Sequence, residues 1–208
     1  MLIDIWSDIA CPFCYIGKRR LEAAIKQLPK PPEFTIRWHA YQLDPTRPRE
    51  TTQTIMEVLA QKYGQSVAWA LQANQRVGAM AADLGLSFDF AQLKPTNTFD
   101  AHCLIKLSAT LGKADAAKEA LFLAYFCQGL NVADHATLSG IGVAIGLDTT
   151  VLNQVLLGSD FSDEVAEDIA AAQELGISGV PFFLFDEKHA ISGAQEVSVF
   201  LAALSGKY

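Results

Sequence analysis

The stretch Cys11-Pro12-Phe13-Cys14 follows an apolar run, Met1-Leu2-Ile3-Asp4-Ile5-Trp6, and opens a helical one, Tyr15-Ile16-Gly17-Lys18-Arg19-Arg20-Leu21-Glu22-Ala23-Ala24-Ile25. A cysteine pair at a strand-to-helix junction places its first sulfur among N–H groups that have no intrahelical partner, at the positive end of the helix dipole, so a Cys11 thiolate is expected there. Pro12 suits the first helical turn, which does not use its missing N–H. Cys14 then lies one turn on, facing Cys11. The thiolate is the form that attacks disulfides, and the spacing predicts a redox pair with Cys11 as nucleophile and Cys14 as the resolving thiol.

Pairs of this spacing also serve as half of a four-ligand zinc site. The other two cysteines, Cys103 and Cys127, are far apart and each sits inside a helical pattern, so no second close pair exists to complete a tetrahedron and no metal is expected. Cys103 follows Phe99 by one helical turn and shares a face with Leu107, which reads as a small buried hydrophobe. Cys127 reads the same way. A bridge between the two would need Cα atoms within about 7 Å, a distance that spacing does not fix.

The second informative segment is Gly176-Ile177-Ser178-Gly179-Val180-Pro181-Phe182-Phe183-Leu184-Phe185. A proline at the head of an apolar strand forfeits a ladder hydrogen bond unless the strand is an edge or the Val180-Pro181 bond is cis. Only ~5% of X-Pro bonds in folded proteins are cis, and it is the company of the amino-terminal CPFC that turns the expectation toward cis here.

Taken together, four segments resemble the DsbA-like group of thioredoxin-fold thiol-disulfide oxidoreductases, and within it the cytoplasmic FrnE-like branch. They are Ser7-Asp8-Ile9-Ala10-Cys11-Pro12-Phe13-Cys14-Tyr15-Ile16-Gly17; Asn97-Thr98 with Ala101-His102; Ala124-Tyr125-Phe126; and Gly179-Val180-Pro181-Phe182-Phe183 with Ile191-Ser192-Gly193-Ala194-Gln195. The resemblance implies an α/β thioredoxin-like fold with a large all-helical domain inserted after the second strand. It also implies a nucleophilic Cys11, and a cis Pro181 packed against the Cys11-Cys14 pair, with Val180, Pro12 and Phe13 supporting the site. The glutathione-dependent 2-hydroxychromene-2-carboxylate isomerases and kappa-class glutathione transferases are similar too, but they carry serine where this chain has Cys11. That departure favours internal redox chemistry over glutathione transfer, which stays as the alternative.

Read for organisation, Leu2 to Trp6 is a strand, Pro12 to Leu28 a helix stopped by Pro29 and a Pro31-Pro32 turn, and Phe34 to Ala40 a second, parallel strand reached by a right-handed crossover. From about Thr51 to about Leu175 the pattern is helical, with long amphipathic stretches at Gln65 to Leu84, Thr98 to Leu111 and Ala116 to Gln128. A hairpin, Phe182 to Phe185 and His189 to Ser192, then precedes a closing helix from Glu196 to Leu204. The expected domains are a thioredoxin-like part, 1–48 with 176–208, and a helical insertion, 49–175. A cleft at their junction beside CPFC is where a disulfide-bearing polypeptide is expected to bind.

Composition narrows the partners. Sixteen Lys and Arg against 23 Asp and Glu give a formal charge of -7, which repels polyanions, and no basic footprint for nucleic acid stands out. No apolar run is long enough to span a bilayer and no signal segment precedes the first strand, so a cytoplasmic protein with neither nucleic-acid nor membrane partner is expected. At 208 residues the chain buries roughly 70% of its unfolded surface and needs no structural disulfide.

Two further residues keep two readings each. Asp8, three residues before Cys11, either relays the proton of Cys14 or bonds backbone N–H groups at the turn. Asn97 either caps its helix or touches a thiol ligand. His39 and His102 are read as hydrogen-bonded in place. The expected activity is two-step thiol-disulfide exchange without a bound cofactor, on disulfide-containing protein or glutathione, with glutathione also a co-substrate. Pro12-Phe13 lacks a histidine facing the Cys11 sulfur, and a glutathione-buffered cytoplasm keeps an oxidising pair reduced, so a reductase or isomerase direction is expected. A non-catalytic binding protein switched by CPFC is the third possibility.

Overall fold

The computed structural model describes residues 1–29 and 33–206, so the turn expected at Pro31-Pro32 lies outside the described residues. The chain forms two compact units, Met1–Leu43 with Asp163–Tyr208 and Asp44–Ser162. The first crossing falls near the expected Pro48. The second falls well before the expected Gly176, because a helix read as part of the insertion packs in the first unit.

The first unit is built on a four-stranded sheet, β1 (Leu2–Ser7), β2 (Thr35–Ala40), β3 (Phe182–Phe185) and β4 (His189–Ser192), in the order β2-β1-β3-β4. β1 runs parallel to β2, from Leu2 opposite Thr35 to Ser7 opposite Ala40, and antiparallel to β3, with Ile5 opposite Phe183. The parallel pair follows from the α1 crossover (Pro12–Gln27), and the β3-β4 hairpin turns through Asp186 and Glu187, both at positive φ. The described helices over the rest of the chain are α2 (Ile55–Tyr63), α3 (Val67–Ala82), α4 (Phe99–Thr110), α5 (Ala114–Phe122), α6 (His135–Ala144), α7 (Thr149–Leu157), α8 (Ser162–Glu174) and α9 (Val197–Leu204).

Period-two alternation divides the sheet's faces. Ile3, Ile5, Phe183 and Phe185 point to one side, where the Phe183 ring meets Phe200 of α9 edge-on at 4.8 Å and where a Cβ on Gly17 of α1 would touch Phe183. Ile36, Trp38 and Ile191 join them on this face. The opposite face carries Asp4, Trp6, Arg37 and His39, and α8 covers it. Asp168 of α8 accepts Ala40 N–H at 2.6 Å and bonds His39 Nδ1 at 2.8 Å, and its backbone carbonyl accepts Trp6 Nε1–H at 3.1 Å. His39 Nε2 reaches Asp4 at 2.7 Å, Arg37 grips Asp4 through two bonds of 2.6 and 2.9 Å, and the Trp6 ring stacks on His39 at 4.3 Å. Burial alone would push the Asp4 carboxyl up, but the bonds from Arg37 and His39 and their charge hold it below the usual carboxylate range. Asp4 and Asp168 are buried here with each carboxylate bonded to its neighbours, while Arg37 stands half exposed at the rim. This cluster is why α8 belongs to the first unit.

The second unit holds α2 to α7. Thr54 and Glu57 form a reciprocal capping box on α2, and Asp134 and Asp148 cap α6 and α7. The helix expected to run unbroken from Ala116 to Gln128 instead ends at Phe122 and continues as a π-helix, Leu123–Cys127, closed by Gln128 N–H on the Leu123 carbonyl at 3.1 Å. The wider turn lies within an aromatic cluster: the Phe126 ring stacks on Phe88 at 4.8 Å and meets Tyr125 edge-on at 5.0 Å. Residue types alone do not reveal one extra residue per turn, since the apolar stripe through Leu121, Ala124 and Tyr125 fits an α-helix equally well. Cys103 is buried in α4, Cys127 is half-buried at the end of the π-helix, and both are thiols.

Candidate active site

β1 delivers the chain into a tight turn in which Cys11 N–H bonds the Asp8 carbonyl at 3.2 Å, and α1 begins directly after it. Cys11 is the N-cap, with extended backbone at φ -95 and ψ 111, and Pro12 is the first helical residue, where its missing N–H costs nothing. Cys14 N–H closes the first turn on the Cys11 carbonyl at 3.0 Å, bringing the two cysteines to one side of the helix start. Both are thiols and both are buried, Cys11 at 4% exposure and Cys14 at 1%, whereas Phe13 between them stands 40% exposed.

From the other end of the unit, the loop after α8 brings in Val180 and Pro181, joined by a cis peptide bond. The Cys11 thiol donates to the Val180 carbonyl, with Sγ 3.4 Å from the oxygen. Pro181 is buried at the head of β3, and its carbonyl accepts Gly193 N–H at 2.8 Å. Gly17, one turn beyond Cys14, leaves room for the Pro181 ring: a Cβ there would lie 3.0 Å from Pro181 Cγ and 3.1 Å from Phe183 Cζ. Cys11, Pro12, Phe13, Cys14, Val180 and Pro181 thus meet in one place.

The protonation of Cys11 departs from the expectation of a thiolate. Its thiol is pushed well above the ordinary cysteine value, first by the side chain of Cys14, then by burial, with the Asp8 charge adding to the same direction; the Cys14 N–H opposes them. The donated bond to the Val180 carbonyl also needs the proton in place. The helix dipole favours the anion, but the Cys14 side chain and burial outweigh it here.

Asp8 is 1% exposed, and its two oxygens accept Ala10 N–H at 3.2 Å and Leu43 N–H at 2.7 Å, so the backbone-bonding reading describes its place. Asn97 lies in the second unit. Its amide donates to the carbonyls of Pro45 and Arg47, each at 3.0 Å, and its oxygen accepts Phe99 N–H at 2.8 Å, the first N–H of α4. These bonds start the helix and tie down the loop before it. Sequence reading passed over Asp168, although a signal was there: with Val165 and Ala172 it completes a buried helical stripe, and an acid in such a stripe needs a partner. Among the described residues no three His, Cys, Asp or Glu side chains are grouped to hold a metal ion, and no helix is long and apolar enough to cross a membrane.

A crystal structure of a probable DsbA oxidoreductase from Streptomyces coelicolor superposes with a TM-score of 0.94 at 35% identity, covering 100% of this chain and 89% of that one. A 2-hydroxychromene-2-carboxylate isomerase matches at a TM-score of 0.72 and 16% identity over 99% and 95% of the two chains. The cytosolic disulfide reductase DsbM from Pseudomonas aeruginosa, solved with GSH, gives 0.65 and 15% over 100% and 95%, and these last two share the fold. Residues 2–205 match the DSBA-like thioredoxin domain, and with CPFC at the head of α1 and Val180-Pro181 against it, the chain is a member of that family.

Proposed function

We propose that the protein is a thiol-disulfide oxidoreductase working in the reductase or isomerase direction on protein or small-thiol disulfides, in the cytoplasm. The observation that carries the reading is the Cys11 sulfur at the N-cap of α1, 3.4 Å from the Val180 carbonyl, with Cys14 one turn inside. In the proposed cycle Cys11 loses its proton and attacks one sulfur of a substrate disulfide. The Cys11–substrate bond forms as the substrate S–S bond breaks, and the released thiolate takes up a proton. Cys14 then loses its proton and attacks Cys11, expelling the second substrate thiol. The substrate gains two electrons and the pair becomes a disulfide, which a thiol donor such as glutathione returns to the dithiol. DsbM, a reductase solved with GSH, lends support to glutathione as that co-substrate.

The reductase or isomerase direction draws support from the surroundings of Cys11. A strong oxidant in this chemistry owes its strength to a stabilised reduced thiolate. The Cys14 side chain and burial push the Cys11 thiol up, so that feature of a strong oxidant is not what these surroundings supply. Insulin reduction with a thiol donor tests the reading: the unaltered protein should turn over, and Cys11→Ser should lose essentially all activity. Wild-type turnover by Cys11→Ser would overturn it.

A further inference from the structure

The polar face of the sheet is joined to α8 through one imidazole. His39 of β2 directs Nε2 at the Asp4 carboxylate of β1, 2.7 Å away, and Nδ1 at the Asp168 carboxylate of α8, 2.8 Å away. A neutral imidazole has one N–H and one lone pair, so it donates to only one of two carboxylates, whereas a ring with two protons donates to both. Asp4 has no proton of its own to lend: burial pushes its carboxyl up, but the bonds from Arg37 and His39 hold it down. Asp168 already accepts Ala40 N–H on its second oxygen at 2.6 Å. The remaining charged groups of the neighbouring elements turn elsewhere. Arg37 is bonded to Asp4 and lies 3.8 Å from Glu187, and His189, opposite Phe185, is on the other face of the sheet. Asp163, Glu164, Glu167 and Glu174 of α8 are exposed.

The same imidazole lies close to the dithiol through packed side chains. The Trp6 ring stacks on it at 4.3 Å, and Trp6 forms an apolar cluster with Ala172 and Ile177 against which Val180 packs. Val180 supplies the carbonyl that accepts the Cys11 thiol at 3.4 Å. The end of α8 leads straight into that stretch, because Ile177 N–H turns back to the Ala172 carbonyl at 2.8 Å, three residues before Val180.

We propose that His39 is a positioning residue that acts as a proton-dependent latch: with two ring protons it clamps α8 to the sheet and seats Val180 beside Cys11, and with one it releases a carboxylate and lets Val180 shift. The proposal rests on the reading of Cys11 as the attacking thiol, and it adds what sets the place where a substrate disulfide meets that thiol. The His39 side chain is 19% exposed, so its protons exchange with solvent.

With Cys11→Ser and Cys14→Ser combined, neither thiol of the pair titrates, and NMR can follow the His39 ring nitrogens and the Val180 amide across the pH range of the folded protein. At the acid end both ring nitrogens should carry hydrogen. As one proton leaves, the Val180 amide should shift with the same midpoint. Adding His39→Gln should abolish that shift, while adding His189→Gln should keep it. A Val180 resonance indifferent to the ring, or a ring whose proton count never changes, would overturn the proposal, because a histidine that is merely structural leaves no such linkage. Should the His39→Gln protein not fold, the two midpoints decide, and midpoints that differ overturn it equally. Failure of the unaltered protein to reduce insulin would instead remove the functional reading alone, since the titration needs no turnover.

Discussion

At the scale of single residues, Cys11 couples the redox site to folding. Its thiol is held above the ordinary cysteine value of about 8.5, so the native reduced protein grips that proton more tightly than the unfolded chain does. The associated stability is therefore whole below about pH 8.5 and is lost as pH rises through the window above it, at up to about 1.4 kcal/mol per pH unit. Urea unfolding of the reduced protein at pH 8 and pH 9.5, set against Cys11→Ser, measures this, and equal losses in the two proteins would refute it. The roles of the two thiols separate differently: Cys14→Ser should accumulate reducible adducts with cellular proteins or glutathione, since the mixed disulfide then has no internal exit. Adducts confined to Cys11→Ser would reverse the roles. The two segments that meet at the candidate site were legible in the sequence, because CPFC at a strand-helix junction and Val180-Pro181 before an apolar strand are local signals. The ionisation of Cys11 was not, since it depends on how the Cys14 side chain and the surrounding burial press on it, which the motif by itself does not reveal.

Among the elements, α1 and β3 meet across Gly17, whose missing side chain is filled by the Pro181 ring and Phe183. Gly17→Ala gains up to about 1 kcal/mol of helix propensity but presses a methyl against two buried rings; overpacking costs about 1–3 kcal/mol, so a net loss of about 1 kcal/mol is expected by urea denaturation. A stabilised variant would show that the rings yield freely. In the β3-β4 hairpin, Glu187 sits at φ 57, in the left-handed region, and is largely exposed. Glu187→Gly should raise stability by up to about 1 kcal/mol, visible as a higher melting temperature, and a lower one would contradict the assignment of strain to that position. Strand and helix positions were readable to within a few residues because their periodicity is local. The π-helix was hidden for the same reason, and α8 was placed with the wrong neighbours because its attachment runs through Asp168 to His39 and Ala40, which no local pattern links.

For the whole molecule, the second unit is one uninterrupted segment with its own buried core, including Leu104, Leu121, Phe122, Leu138 and Leu152. Residues 44–162 expressed alone should fold, with helical far-UV circular dichroism and a cooperative melt; a featureless spectrum would show that the segment depends on the rest. The first unit has no such independence, because β1, α1 and β2 come from one end of the chain and α8, β3, β4 and α9 from the other. Closing so long a loop adds only slowly to the entropic cost, but it fixes an order of events. On the ribosome, Cys11 and Cys14 emerge first and must wait, their carbonyl partner and sheet neighbours still unmade, until the last quarter of the chain follows. For that interval the dithiol is as open to stray oxidants as any unfolded cysteine, so a nascent chain of this protein depends on a reducing milieu more than the finished one does.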